Sequence, residues 1–213
     1  MVEPPKSNIS EYENWRYGFD KRAAEDVFAS AWAKDKFPFT SLRLPMVNSE
    51  RDHYERLYGY FLRLRDGGPI LVPVDGGSQI RHVYGEDVVQ AITRIIQSGT
   101  GRGEAYNIGQ DESLSLEQFL QMMAQLMGVP LQIKPAVRAE LNQARLLPDC
   151  SPFSGLWMSA LDNDRSKAEL GMRYTPMETY LKKLVAFYSA TTPRQIDGYK
   201  QRREELRFAA ATS

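Results

Sequence analysis

The sequence has few residues of the kinds that form disulfides or hold metal ions. Its 213 residues include one cysteine, Cys150, and two histidines, His53 and His82. A single cysteine excludes an internal disulfide, which fits a reducing compartment. Neither histidine lies in a Cys/His cluster of the kind from which zinc sites are built. We therefore expect a cytoplasmic protein without a metal site.

The chain also lacks an excess of charge of either sign. Lysine plus arginine and aspartate plus glutamate both number 27, which argues against a general attraction to nucleic acid or to an anionic membrane. No apolar run approaches the roughly 20 residues of a membrane span, and the N-terminus lacks a charged-then-apolar signal sequence. With 42% hydrophobic and 25% charged residues, the composition is typical of a soluble globular protein.

A tyrosine and a lysine stand four residues apart near the start of a predicted helix. The segment reads Tyr17-Gly-Phe-Asp-Lys21-Arg-Ala-Ala-Glu25, and on a helix this spacing places Tyr17 and Lys21 on one face. A nearby cation favours the phenolate, so it lowers the pKa of a tyrosine from its ordinary value of about 10. Such a phenol can act as an acid or base near neutral pH. The spacing also occurs in solvated surface pairs, so both interpretations remain open.

Hydrophobic periodicity predicts alternating helices and strands. Residues 16–34 read as a helix with one buried stripe at Phe19, Ala23, Ala24, Val27, Phe28, Ala31 and Trp32, because these positions recur at intervals of three and four. Two further helices have capping signals: one begins with Asp87 as its capping residue and ends at about 98, and one runs from Ser115 to Met127, with Gln118 completing a capping box. Helices are also expected over 50–65, 137–146, 164–170 and 177–188. Short strands are expected at 37–44, 70–74, 79–84, 105–109 and 131–134.

An ordered series of segments resembles a known family. In chain order, the segments are Tyr17-x-x-x-Lys21-x-x-x-Glu25, Ser41-Leu-Arg-Leu-Pro45-Met-Val47, Pro69-Ile-Leu-Val-Pro73-Val-Asp-Gly76, Arg81-His-Val-Tyr-Gly-Glu-Asp87, Tyr106-Asn-Ile-Gly109 and Leu161-Asp-Asn-Asp-Arg-Ser-Lys-Ala-Glu-Leu-Gly171. Together they resemble the second half of extended short-chain dehydrogenase/reductases, the NAD(P)-dependent epimerase/dehydratase group that acts on nucleotide sugars.

The resemblance implies an α/β fold and a set of site residues. The expected architecture is part of an NAD(P)-binding Rossmann-like parallel sheet with a small α/β C-terminal substrate-binding lobe. By resemblance, Tyr17 exchanges a proton with a substrate hydroxyl or carbonyl, and Lys21 binds the nicotinamide ribose. Pro45 and Val47 are expected at the nicotinamide of NAD or NADP, and Arg81 at the diphosphate of a nucleotide sugar, for which a guanidinium is suited. His82 is expected to be a packed or partly exposed histidine rather than an acid/base.

The resemblance divides the chain into four parts. Residues 1–14 are expected to be an irregular lead-in, and 15–110 the C-terminal part of a Rossmann-like domain with interleaved substrate-lobe segments. Residues 111–190 form the predicted substrate-binding lobe. The last part, 191–213, is a charged and peripheral tail. A homodimer is a further expectation of the resemblance.

The first half of such a fold has no counterpart in this sequence. A Gly-rich turn between a strand and a helix holds the cofactor pyrophosphate in Rossmann folds. The glycine cluster found here, Gly99 to Gly103, follows a predicted helix and precedes a strand, so it is interpreted as a flexible connector. We therefore expect the chain alone to be inactive and to associate through uncovered apolar surface. The alternative is a non-catalytic binding module or an RNA-binding remnant of the same fold.

Overall fold

Helices and strands alternate along the chain. The computed structural model describes residues 9–74, 79–156, 161–191 and 194–211. The helices are α1 (Ile9–Asp35), α2 (Arg56–Asp66), α3 (Gly85–Ser98), α4 (Leu116–Met127), α5 (Arg138–Gln143), α6 (Asp164–Leu170), α7 (Met177–Ala190) and α8 (Arg202–Ala211), with a short 3-10 turn at Asp197–Tyr199.

The strands form parallel pairs. They are β1 (Thr40–Arg43), β2 (Val47–Asn48), β3 (Ile70–Pro73), β4 (Val83–Tyr84), β5 (Glu104–Asn107) and β6 (Ile133–Ala136). Among the described residues, β1 pairs with β5, β2 with β4 and β3 with β6. Parallel neighbours require a crossover between them, and helices supply the crossovers here. The α/β prediction is thus confirmed, although these strands form separate pairs rather than one continuous sheet.

The helix α4 has the clearest sequence signals, and they are confirmed. The Ser115 hydroxyl accepts a hydrogen bond from the Gln118 backbone N–H, and the Gln118 side chain accepts one from the Ser115 N–H. These two bonds satisfy donors that a helix N-terminus otherwise leaves unpaired. Gly128 ends the helix with positive φ. The largest apolar core then forms where α2, α4 and α7 pack together, with Phe61, Phe119 and Leu184 among its buried residues.

Three local predictions are wrong. The lead-in prediction for residues 1–14 fails from Ile9 onward, because α1 already begins there; residues 1–8 lie outside the described part. The helix predicted over 50–65 begins at Arg56, and Tyr54 is exposed rather than part of its apolar face. Asp87 does not cap α3, which begins at Gly85. The Asp87 carboxylate instead accepts bonds from the backbone N–H and hydroxyl of Thr175, at 2.9 and 2.8 Å.

The apolar stripe predicted to be buried on α1 is exposed. None of the described side chains of this helix is fully buried, and Phe19, Val27 and Phe28 are among the exposed large hydrophobic residues. Over the full length of α1 the apolar side chains are not concentrated on one face. Ala31 and Trp32 are the half-buried members of the predicted stripe, so the described chain covers only its C-terminal end. Association of the chain remains a prediction.

The C-terminal segment is not peripheral, which corrects the expectation for residues 191–213. Within α8, Arg202 and Glu205 are buried. The Glu205 carboxylate accepts hydrogen bonds from Arg63 of α2, at 2.9 Å for Nε, and from Nη1 of Arg202, at 3.1 Å. Arg202 also pairs with Asp66 at 2.7 Å. A buried ionic network thus joins α8 to α2, and charged residues serve an interior role that composition alone does not reveal.

Two further observations concern membranes and the free thiol. No helix in the described ranges combines the length and apolarity needed to cross a membrane. Cys150 is buried and unpaired, and burial raises the pKa of its thiol to about 12. Because the thiolate is the reactive form, this cysteine is a structural residue.

Candidate active site

A cleft of about 900 Å³ lies between α1 and β1. One wall is the face of α1 that carries Tyr17, Lys21 and Glu25, and the floor is β1. The loop after β1 and the residue Arg81 complete the lining. Residues from well-separated parts of the chain therefore converge on this cleft.

Tyr17 and Lys21 both line the cleft, as their spacing on one helix face predicts. The Lys21 ammonium lies over the Tyr17 ring, 5.4 Å from the ring centroid. This is a cation–π contact, and it places the positive charge close to the phenol. Tyr17 is 65% exposed, so its hydroxyl is accessible to a molecule in the cleft.

Glu25 joins this helix to the strand beneath it. Its carboxylate accepts a hydrogen bond from the Ser41 hydroxyl at 2.6 Å, and from Nε and Nη2 of Arg43 at 3.0 and 2.6 Å. Bonds of this forked, charge-assisted kind are stronger than neutral ones. Accordingly, the bonds from Arg43 lower the pKa of the Glu25 carboxyl below its ordinary value.

The structure separates the two residues predicted to contact the nicotinamide. Pro45 and the next residue, Met46, line the cleft beside Tyr17. Val47 belongs to β2, pairs with Val83 and packs against the apolar cluster around that strand. Pro45 is thus placed together with Tyr17 and Lys21, whereas Val47 is not part of the cleft lining.

Arg81 lines the same cleft. Its guanidinium donates to the backbone carbonyls of Leu161 and Asp111, the latter at 3.2 Å. It therefore ties two loops together at the cleft margin. Lys21, Arg43 and Arg81 are cations in the lining, whereas Glu25 is an anion, so the cleft carries a net positive charge. Such a surface favours an anionic ligand.

His82 lies in the interior, as predicted, although it directly follows Arg81. Its side chain is fully buried between the rings of Phe119 and Phe153. The Asn48 amide donates to its Nδ1 at 2.9 Å. Burial lowers the pKa of His82 from 6.5 to about 3, with a further contribution from the charge of Arg56. A histidine that is neutral and buried is unsuited to proton exchange in the cleft.

The buried neutral His82 predicts how stability depends on pH. Its folded pKa is about 3 and its ordinary value 6.5, so between these values the unfolded chain binds a proton that the folded chain does not. The free energy of unfolding therefore decreases as pH falls below about 6.5, by about 1.4 kcal/mol per pH unit from this group. We expect His82→Gln to reduce the pH dependence of the free energy of unfolding by about this slope between pH 6 and 4.

Urea denaturation at several pH values measures this slope. His53→Gln is the matched control, because His53 is the other histidine and lies at the surface. Equal slopes for His82→Gln and the unaltered protein would contradict the prediction.

The glycine cluster does not provide a phosphate-binding turn, and it is not a flexible connector either. Gly99, Gly101 and Gly103 all have positive φ and form the tight turn between α3 and β5. A Cβ at Gly103 would lie 2.4 Å from the Trp32 indole, and one at Gly101 would lie 2.7 Å from the Tyr106 ring. Aromatic rings therefore occupy the space next to this turn. The cluster serves packing, which corrects the interpretation made from the sequence.

The motifs contain Glu25, Ser41 and Arg43, but the sequence alone assigns these residues no role. Their hydrogen bonds depend on how closely the helix packs on the strand. A usable signal was nevertheless present, because Glu25 stands four residues after Lys21 on the same helix face, and Ser41 and Arg43 alternate along β1. Opposite charges on two elements that share a cleft are candidates for an ion pair.

Comparison with known proteins identifies relatives of this chain. The sequence model of the NAD dependent epimerase/dehydratase family matches residues 2–109. The dTDP-D-glucose 4,6-dehydratase of Homo sapiens is 31% identical over 111 residues. That alignment covers 52% of this chain and 31% of the human protein. The chain therefore matches about a third of the length of this curated relative.

Solved structures share the fold at low sequence identity. A dTDP-glucose 4,6-dehydratase from Streptomyces venezuelae, solved with NAD bound, has a TM-score of 0.64 at 18% identity, and the match covers 81% of this chain and 50% of that one. A UDP-glucose 4-epimerase from Thermotoga maritima, solved with UDP-glucose, has a TM-score of 0.62 at 20% identity, with coverage of 81% and 53%. About half of each neighbour thus has no counterpart in this chain.

Proposed function

Because this chain belongs to the NAD-dependent epimerase/dehydratase family, we propose that it is the catalytic-tyrosine and substrate-binding portion of an enzyme acting on a nucleotide sugar by hydride transfer. The observation that carries the proposal is the α1–β1 cleft. Tyr17 and Lys21 share one helix, Pro45 and Arg81 come from two other segments of the sequence, and all four residues line this one cleft.

Tyr17 is the proposed acid/base. Its exposed hydroxyl faces a cleft open to ligand, where it exchanges a proton with the substrate oxygen whose carbon is oxidised or reduced. Bound NAD or NADP supplies the acceptor or donor of the hydride. The Lys21 ammonium over the ring is placed to donate hydrogen bonds to a ribose hydroxyl. Pro45 forms an apolar surface next to these two groups, suited to a nicotinamide ring.

A nucleotide sugar is the proposed substrate class. The net positive charge of the lining suits a diphosphate, and Arg81 contributes to it a guanidinium, whose planar donors match phosphate oxygens. Two of the fold neighbours are described as acting on dTDP-glucose and UDP-glucose. In binding a diphosphate, Arg81 would exchange one of its bonds to the Leu161 and Asp111 carbonyls for a bond to phosphate oxygen.

The described residues fit one end of the cofactor. Tyr17, Lys21 and Pro45 suit the nicotinamide and its ribose, whereas the glycine-rich turn at 99–103 has Trp32 and Tyr106 packed against it. The pyrophosphate therefore needs backbone donors from elsewhere. We expect the 213-residue chain by itself to bind dinucleotide weakly.

Titration with NAD(H) and NADP(H) tests the proposal. We would compare this chain with the product that its gene makes in the cell, here called the cellular product, whose length is determined by intact mass. Both proteins would be assayed with UDP-glucose and dTDP-glucose. We expect the cellular product to bind one of the two dinucleotides and to convert a nucleotide sugar. If that product binds neither cofactor and converts neither sugar, the catalytic proposal fails and the binding-module alternative replaces it.

A further inference from the structure

We propose that Glu25 is a positioning residue that fixes where Tyr17 and Lys21 stand above β1. The catalytic consequence of this inference rests on the proposed function, whereas the positioning itself does not. Tyr17, Lys21 and Glu25 are spaced by four residues, so they follow one face of α1, and all three line the cleft.

The helix α1 needs a fixed point because little of it is buried. Its C-terminal part contacts the body through aromatic rings, with Phe28 stacked near Phe39 at 5.8 Å between centroids and Trp32 lying against Gly103. Tyr17 lies eight residues before Glu25, about 12 Å along the axis. The N-terminal part of the helix, which carries Tyr17, therefore extends beyond the aromatic contacts that attach α1 to the body.

The hydrogen bonds of Glu25 hold α1 at a point between Tyr17 and these aromatic contacts. Ser41 and Arg43 alternate along β1, so both present their side chains on the same side of the strand. Both Glu25 oxygens are engaged, Oε1 by Ser41 and by Nε of Arg43, and Oε2 by Nη2 of Arg43. Because β1 is itself held by its pairing with β5, the carboxylate fixes α1 both along the strand and across it.

A small loss of this constraint has a large effect at Tyr17. A tilt of about 5° over the 12 Å between Glu25 and Tyr17 moves the phenol by about 1 Å. Misplacement of a catalytic group by that distance costs about 100-fold in rate. The geometry thus assigns to Glu25 a role in catalysis without contact with the reacting atoms.

Spin-label distance measurements test the positioning directly. Labels at Asn14→Cys on α1 and Gln90→Cys on α3 report the orientation of the helix, because both sites are exposed and the native Cys150 is buried. We expect Glu25→Gln to broaden the distance distribution relative to the otherwise unaltered labelled chain. In the cellular product, we expect it to lower kcat about 100-fold with the KM for the sugar little changed.

Two further variants make the result specific. Asp20→Asn is the matched control, because Asp20 is an acidic residue of the same helix that pairs with Arg16 on the exposed surface at 3.7 Å. It should leave the distribution narrow. The exchange Glu25→Arg with Arg43→Glu should restore a narrow distribution, since it reforms the ion pair.

The outcomes separate this inference from the proposed function. If Glu25→Gln gives the same distribution as Asp20→Asn, or if the charge exchange fails to restore a narrow one, the positioning role is overturned. If the unaltered cellular product shows no cofactor binding and no turnover, the proposed function fails, while the distance distributions still decide the role of Glu25.

Discussion

Tyr17→Phe is expected to lower nucleotide-sugar turnover by the cellular product about 10²- to 10⁴-fold, the range measured for loss of a positioned acid or base. The substitution removes one hydroxyl from an exposed ring and leaves the packing of the helix unchanged. Affinity for the dinucleotide should persist, because the Lys21 ammonium and the apolar surface of Pro45 remain in the cleft. Single-turnover absorbance of the reduced nicotinamide measures the hydride-transfer step.

Tyr12→Phe is the control for this experiment. Tyr12 is an exposed tyrosine of the same helix, and its ring packs on Trp15 with centroids 5.8 Å apart. Loss of its hydroxyl should leave turnover within a factor of about two, since Tyr12 is not among the residues that line the cleft. Turnover by Tyr17→Phe equal to that of Tyr12→Phe would remove Tyr17 from the proposed mechanism.

Glu205→Ala is expected to lower the free energy of unfolding by about 3–5 kcal/mol, the cost of breaking a buried ion pair by removing one partner. Glu205 is 1% exposed and Arg63 is fully buried. The substitution leaves the Arg63 guanidinium bonded to the carbonyls of Gly59 and Gly198 without a compensating negative charge. For a chain of this length, the thermal midpoint should fall by roughly 10 °C.

Glu204→Ala provides the comparison. This neighbouring glutamate of α8 forms an exposed pair with Arg207 at 3.9 Å, and exposed pairs contribute less than about 1 kcal/mol. Urea and thermal denaturation of the two variants measure the difference. Similar free energies of unfolding for both variants would show that the buried network does not hold α8 to the body. Loss of helical structure in α8 alone would show that the network acts by holding this helix in place.

Elements with their own local signals could be predicted from the sequence. The helix α4 has a capping box and a terminal glycine, and α7 has a clear apolar face; both lie where the pattern placed them. The strand β3 was likewise visible as a short apolar run. These signals are contained within about 15 consecutive residues, so they need no knowledge of the rest of the chain.

Features that depend on distant partners could not be predicted in this way. Asp87 looked like a helix cap, but its partner Thr175 lies far along the chain. The charges of α8 looked solvated, because nothing near them in sequence reveals Arg63. The stripe on α1 looked buried, since periodicity reports which face is apolar and not whether another layer covers it.

The candidate site shows the same division. The spacing of Tyr17 and Lys21 predicted a shared face, and both side chains lie in one cleft. The resemblance groups Val47 with Pro45, in the strand and loop expected to reach the nicotinamide. However, Pro45 lies in the loop between β1 and β2, whereas Val47 begins β2, so the two side chains have different surroundings. The bonds from Ser41 and Arg43 to Glu25 required the packing of a helix on a strand.

The network between α2 and α8 also has a consequence for biosynthesis. Arg63 and Glu205 are separated by 142 positions, so a growing polypeptide contains the cation long before its counter-ion exists. At 5–20 residues per second, that interval lasts roughly 7–30 seconds. Until α8 leaves the ribosome, α2 cannot bury Arg63 without an unpaired charge. We therefore expect this part of the interior of the nascent chain to stay open to water until α8 has been made.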